Sequence, residues 1–172
     1  MMTVADTVRT RAGSKEAVAV VKRASGAEEV SRSVQDIEGT VWPALAADTT
    51  YLVRTVHQLR QVPIGELGTE DLRIMLSQHV GTATVLPRAL DRLQADPLVA
   101  GDYYPGDLLL AVLRCAPDAW TGEAELLDKA RGIAHHADAM IYNLDGAHVP
   151  ELRRLITEFL SGRPEFDPGQ TH

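Results

Sequence analysis

The chain has 172 residues, of which 45% are hydrophobic and 24% charged, and its formal net charge is −7. This length suits one domain, and the hydrophobic content is enough to bury a core, which excludes a compositionally disordered chain. The acidic balance argues against direct binding of nucleic acid, because phosphate binding needs a basic surface. It is compatible with a basic protein as partner.

Cysteine usage and hydropathy bound the class further. Cys115 is the one cysteine, so an internal disulfide is impossible. No apolar run reaches the roughly 20 residues of a membrane span, and no secretory signal core opens the chain. We therefore expect a cytoplasmic protein with no membrane partner.

The N-terminal part gives the weakest signals. We expect residues 1–35 to form an extension, partly flexible or helical, in front of a domain at residues 36–162. Residues 16–24 fit either a strand or a helix. Residues 27–38 indicate a helix, since Val30, Val34 and Ile37 share one face and Gly39 follows as a stop.

Helical periodicity then predicts two helices, at residues 51–61 and 69–79. Pro63 ends the first. In the second, Thr69 is the expected N-cap, with acids in the first turn, and Gly81 is the expected stop. The apolar stripes are Leu52, Val56 and Leu59 in the first helix, and Leu72, Met75 and Leu76, joined by His79, in the second.

Four more helical stripes follow from residue 86 onwards. The first of these helices carries an apolar stripe of Leu86, Leu90 and Leu93. Pro87 either begins this helix or kinks it, and Asp96 follows its end. Residues 105–115, 126–141 and 150–160 show further helical stripes, and residues 163–172 form a polar tail. The sequence thus predicts an all-α fold, a single domain of six or seven short packed helices with Gly/Pro-rich connections.

The stretch GDYYPGDLL, residues 101–109, combines carboxylates, tyrosines and turn residues. Paired carboxylates at Asp102 and Asp107 are compatible with acid–base chemistry. A structural role explains more: Gly101 and Gly106 permit a turn and close approach, and Pro105 presets the first helical φ. Asp107 would bind the free amides at the helix start and Asp102 would cap the turn. Tyr103 and Tyr104 would pack over the join.

Other candidate chemistry is weaker. His135, His136 and Asp138 make a poor metal site, because adjacent helical residues point about 100° apart and do not converge on one ion. Cys115 reads as a buried, inert thiol. We therefore expect no catalytic residue, no metal and no cofactor.

Four segments, read together, resemble a known family. They are IEGTVWP, which contains Trp42, then YLVRTVHQLRQVPIGELGTEDLRIMLSQHVG, then LPRALDRLQADPLVAGDYYPGDLLLAVLR, and finally AW at residues 119–120. In this order and spacing they resemble the immunity proteins of contact-dependent growth inhibition systems, the CdiI-type proteins. The stretch before residue 36 and the segment after Trp120 carry no motif of that family.

The resemblance implies a cytoplasmic bacterial protein that binds and neutralises the toxin domain of a cognate effector, commonly a nuclease. The expected partner is that toxin domain, basic in character, without direct contact to nucleic acid. The candidate partner-binding residues are Glu66, Glu70, Asp71, Asp102, Asp107, Asp118, Glu123 and Glu125.

Two alternatives remain open at this point. The first is a helical adaptor or regulator of another protein. The second is a small metal-dependent hydrolase that uses Asp102, Asp107, His79, His135 or His136. The toxin, the binding surface and the oligomeric state are left open by the sequence.

Overall fold

The computed structural model describes residues 30–162. Seven α-helices and three 3-10 turns, at Ile64–Glu66, Pro117–Trp120 and Ile141–Asn143, make up the regular structure of this range, which contains no strand. In chain order the helices are α1 Val34–Glu38, α2 Tyr51–Leu59, α3 Thr69–Ser77, α4 Thr82–Ala95, α5 Asp107–Leu113, α6 Ala124–Met140 and α7 Val149–Leu160. The predicted all-α fold is confirmed.

The core is centred on α5. All seven residues of this helix are buried, and a helix that is apolar nearly all round belongs in the middle of a domain. α3 packs on both α4 and α5, while α6 packs on α4 and α7. Because aromatic residues are scarce, the core consists mainly of leucines, such as Leu72, Leu90, Leu108 and Leu152, each with no exposed side-chain surface.

The first helix is shorter than the sequence predicted. Ser33 interrupts the expected 27–38 helix, because its hydroxyl accepts a hydrogen bond from Asp36 N while the Asp36 carboxylate accepts from Ser33 N. This capping box starts α1 at Val34. Val34, which belongs to the predicted extension at residues 1–35, is fully buried. Residues 1–29 of that extension and the tail at 163–172 lie outside the described residues.

The ends of α3 also differ from the prediction. Gly68, rather than Thr69, is the N-cap, and its amide donates to Asp71 Oδ2 at 2.8 Å. His79 does not join the buried face: it follows the helix, is exposed, and has a φ of 54°. Gly81, with φ 61°, begins α4 instead of ending α3.

The remaining helices are found close to their predicted positions. Pro87 lies inside α4 and does not begin it. α5 begins at Asp107, so Pro105 precedes the helix. Pro150 lies in the first turn of α7, as predicted. Across residues 30–162, no helix has the length and apolar character that crossing a bilayer would require.

Candidate functional site

Asp107 organises the loop that precedes α5. Its carboxylate is buried, with a relative exposure of 3% for the residue. Asp107 Oδ1 accepts a hydrogen bond from Gly101 N at 2.6 Å, and Oδ2 accepts one from Tyr103 N at 3.3 Å. The sequence predicted that this carboxylate would bind the amides of its own helix start. It binds the amides of Gly101 and Tyr103 instead, and thereby holds residues 101–106, here called the 101–106 loop.

A second carboxylate holds the same loop from α3. Glu70 Oε2 accepts a hydrogen bond from Asp102 N at 3.1 Å. Both oxygens of Glu70 also accept from Arg73, at 2.6 and 2.7 Å, and Arg73 Nε lies 3.9 Å from Asp107 Oδ2. The hydrogen bonds from Arg73 hold the pKa of the Glu70 carboxyl below its ordinary value. Two helices therefore fix one loop through charged hydrogen bonds.

The two tyrosines of the loop occupy different environments. Tyr104 is half-buried and stacks on His148, with ring centres 4.0 Å apart and planes inclined by 18°. Tyr103 is 71% exposed, and the Arg73 guanidinium carbon lies 4.6 Å from its ring centre. The exposed Tyr103 ring therefore does not pack over the join as predicted, whereas Tyr104 packs on His148.

Gly106 confirms the predicted close approach. Its φ is 87°, and a Cβ on it would lie 2.6 Å from Leu152 Cδ2 of α7. A Cβ on Gly101 would overlap Glu70 Oε2 and would lie 3.0 Å from Asp107 Oδ2. Both positions therefore leave no room for a side chain, whereas Pro105 between them is exposed.

Trp42 covers a buried cation. The Arg60 side chain is 3% exposed and donates to Glu38 Oε2 at 2.6 Å. A second Arg60 nitrogen donates to Thr40 O at 2.9 Å. The Trp42 ring lies over the guanidinium and is edge-on to His57, with ring centres 6.1 Å apart. This arrangement gives Trp42 a structural role in joining residues 38–43 to the end of α2.

The eight predicted partner-binding carboxylates differ in accessibility. Glu70 and Asp71 are half-buried, and each accepts hydrogen bonds from backbone amides within the domain. Asp107 is buried and directed inward. The exposed ones are Glu66, Asp102, Asp118, Glu123 and Glu125.

The histidines and the cysteine lie apart from this loop. His135 and His136 are exposed on α6, and His136 lines an open depression together with Asp128, Lys129 and Pro97. Within residues 30–162, no three His, Cys, Asp or Glu side chains converge to hold a metal ion. Cys115 is buried as predicted, and burial raises the pKa of its thiol to about 12.

The sequence analysis did not identify three residues of these clusters: Arg73, Arg60 and His148. The Glu70–Arg73 pair has the i, i+3 spacing that brings helical side chains together, so this signal was present. Arg60 and His148 carried no local signal, because their partners Glu38 and Tyr104 are distant in the chain.

The fold and the loop define an all-α domain in which a loop held by Asp107 and Glu70 presents the acidic side chain of Asp102 and the aromatic side chain of Tyr103 on the surface. The family model of CDI immunity proteins, where CDI stands for contact-dependent growth inhibition, matches residues 36–130. This match covers more than half of the chain, and the chain belongs to this family. No curated protein matches the chain.

Proposed function

We propose that this chain is the immunity protein of a contact-dependent growth inhibition system. It binds the toxin domain of the cognate effector in the cytoplasm of the producing cell and blocks the toxin's activity without performing a reaction itself. The observation that carries the proposal is the family match over residues 36–130, which includes the end of α1, all of α2 to α5 and the 101–106 loop.

The charge distribution supports a basic partner. Between Arg92 and Lys129 the chain has seven acidic residues and one basic residue, Arg114. Arg114 donates to Glu151 at 2.8 Å, so its charge is already paired. Asp118, Glu123 and Glu125 in this stretch are exposed. Such a surface attracts a positively charged domain, a nuclease among them, and speeds its association.

The first experiment is a growth test. The C-terminal domain of the effector encoded beside this chain is expressed with and without the chain. We expect growth arrest with the toxin domain alone and restored growth on co-expression. Toxicity that persists with the chain present at equal or higher amount would refute the proposed pairing.

A second experiment tests the electrostatic part. Reversing charge at Glu66, Asp118 and Glu123 together is expected to slow association with the toxin domain about tenfold at low ionic strength, and less at high ionic strength. The matched control reverses the same number of charges at Asp48, Asp138 and Asp145, which are also exposed but are not among the predicted contact residues. Equal rates for the two variants would contradict steering by the proposed residues.

A further inference from the structure

We propose that Tyr103 is an anchor for the toxin domain, and that it receives a lysine or arginine side chain of the toxin, which Asp102 pairs by charge. This inference rests on the proposed function and specifies the surface through which it acts. It differs from the sequence-based set of acidic contacts because its centre is an aromatic ring, whose loop is held by the carboxylates of Asp107 and Glu70.

The ring of Tyr103 is open to solvent. Tyr103 is 71% exposed, although tyrosine is large and mostly apolar. One contact to the ring is the Arg73 guanidinium, 4.6 Å from its centre, so most of the ring surface remains open to a partner. Tyrosine is among the residues that contribute most to protein–protein binding energy when a partner buries them.

Hydrogen bonds hold the backbone that carries Tyr103 in place. The backbone amides of three consecutive residues, Gly101, Asp102 and Tyr103, each donate to a carboxylate, either Asp107 or Glu70. These carboxylates belong to α5 and α3, which pack directly on each other. The loop under Tyr103 is therefore fixed before binding, so that docking loses little conformational entropy.

The net negative charge around the 101–106 loop indicates a positively charged partner. Arg73 is bound by both oxygens of Glu70, so its charge is compensated locally. Glu70, Asp102 and Asp107 against Arg73 leave a net charge of −2 at the loop. The Asp102 carboxylate is exposed and has no hydrogen-bond partner among the described residues. An exposed ring beside an unpaired carboxylate favours a cationic side chain.

Two other exposed tyrosines provide matched controls. Tyr51 is 81% and Tyr142 is 84% exposed, in α2 and in the 3-10 turn after α6. Neither tyrosine belongs to a loop whose backbone amides donate to buried or half-buried carboxylates, as the amides of residues 101–103 do. If exposure alone determined binding, these tyrosines would matter as much as Tyr103.

The test measures binding of the purified toxin domain to the full chain and its variants. We expect Tyr103→Ala to weaken binding at least about tenfold, mainly through faster dissociation, while Tyr103→Phe stays within about twofold because the ring makes the contact. Asp102→Asn is expected to weaken binding about threefold to tenfold, with a smaller salt dependence. Tyr51→Ala and Tyr142→Ala should bind as the unaltered chain does.

The outcomes separate this inference from the proposed function. Tight binding by the unaltered chain with no loss in Tyr103→Ala would overturn the inference and leave the immunity function standing. Absence of binding by the unaltered chain would overturn the proposed function itself. Double-mutant cycles between Asp102→Asn and each surface lysine or arginine of the toxin should show coupling at one basic residue, and additivity at all of them would refute the charge pairing.

Discussion

Gly106 lies directly against Leu152: a Cβ at position 106 would lie 2.6 Å from Leu152 Cδ2. Leu152 is fully buried in α7, so this contact joins the 101–106 loop to the last described helix. The absence of a side chain at Gly106 thus has two reasons, the positive φ of 87° and the lack of space.

Gly106→Ala is therefore expected to lower the free energy of unfolding by about 2–4 kcal/mol, the sum of a backbone cost and an overpacking cost. The control is Gly122→Ala, which has a similar φ of 82° with nothing within 4 Å, and should cost about 1–2 kcal/mol. Urea unfolding measures both. Equal losses would show that the Leu152 contact adds nothing.

The buried Arg60 leads to a second prediction. Glu38→Gln removes the counterion of a guanidinium that is 3% exposed, and we expect a loss of about 1–3 kcal/mol in the free energy of unfolding, since a buried charge is left uncompensated. Glu158→Gln removes one partner of the exposed Arg154 pair and should cost at most about 0.5 kcal/mol. A Glu38 variant as stable as the Glu158 variant would argue against a role for the ion pair.

The lowered pKa of the Glu70 carboxyl should make the stability of the protein depend on pH. Its pKa in the folded protein is held below the ordinary value of 4.5, first by the hydrogen bonds from Arg73. Because the unfolded state binds the proton more tightly, the stabilisation is complete above pH 4.5 and is lost as the pH falls through the lower folded-state value. Glu70→Gln should therefore be less stable than the unaltered chain at neutral pH by about 1–2 kcal/mol.

The measurement for Glu70 is urea unfolding from neutral to acidic pH. The difference between the unaltered chain and Glu70→Gln should shrink as the pH falls below 4.5. Glu66→Gln is the control, because Glu66 is exposed; its difference from the unaltered chain should be small throughout. A Glu70 difference that stays constant with pH would contradict the linkage.

Cys115 should react slowly with a disulfide reagent in the folded protein. Burial raises the pKa of its thiol from 9.0 to about 12, with Asp118 adding to the rise. The thiolate is the reactive form, so burial lowers the reactive fraction at mildly alkaline pH far below that of an exposed thiol. Reaction in the native state should be far slower than in urea, where the thiol titrates normally. Similar rates in both conditions would show an accessible thiol.

The sequence determined the helices, and local physics explains why. The apolar spacing of Leu72, Met75 and Leu76 requires one buried face whatever packs against it, and all three are buried. The helix ends were predicted less well, because each end depends on which backbone amide a single side chain binds. Ser33 caps α1 and so shortens it. Asp71 binds the amide of Gly68, which makes Gly68 the N-cap of α3. These choices depend on side-chain conformations that spacing does not encode.

Only the tertiary structure decided the roles within the 101–106 loop. Glu70 reaches Asp102 across 32 residues of sequence, and Arg60 reaches Glu38 across 22. Tyr103 and Tyr104 are adjacent and identical, yet one stacks on His148 and the other stands exposed. Periodicity records how a residue relates to its own helix, whereas these contacts depend on how α3, α5 and α7 pack together, and that packing is set by the whole core at once.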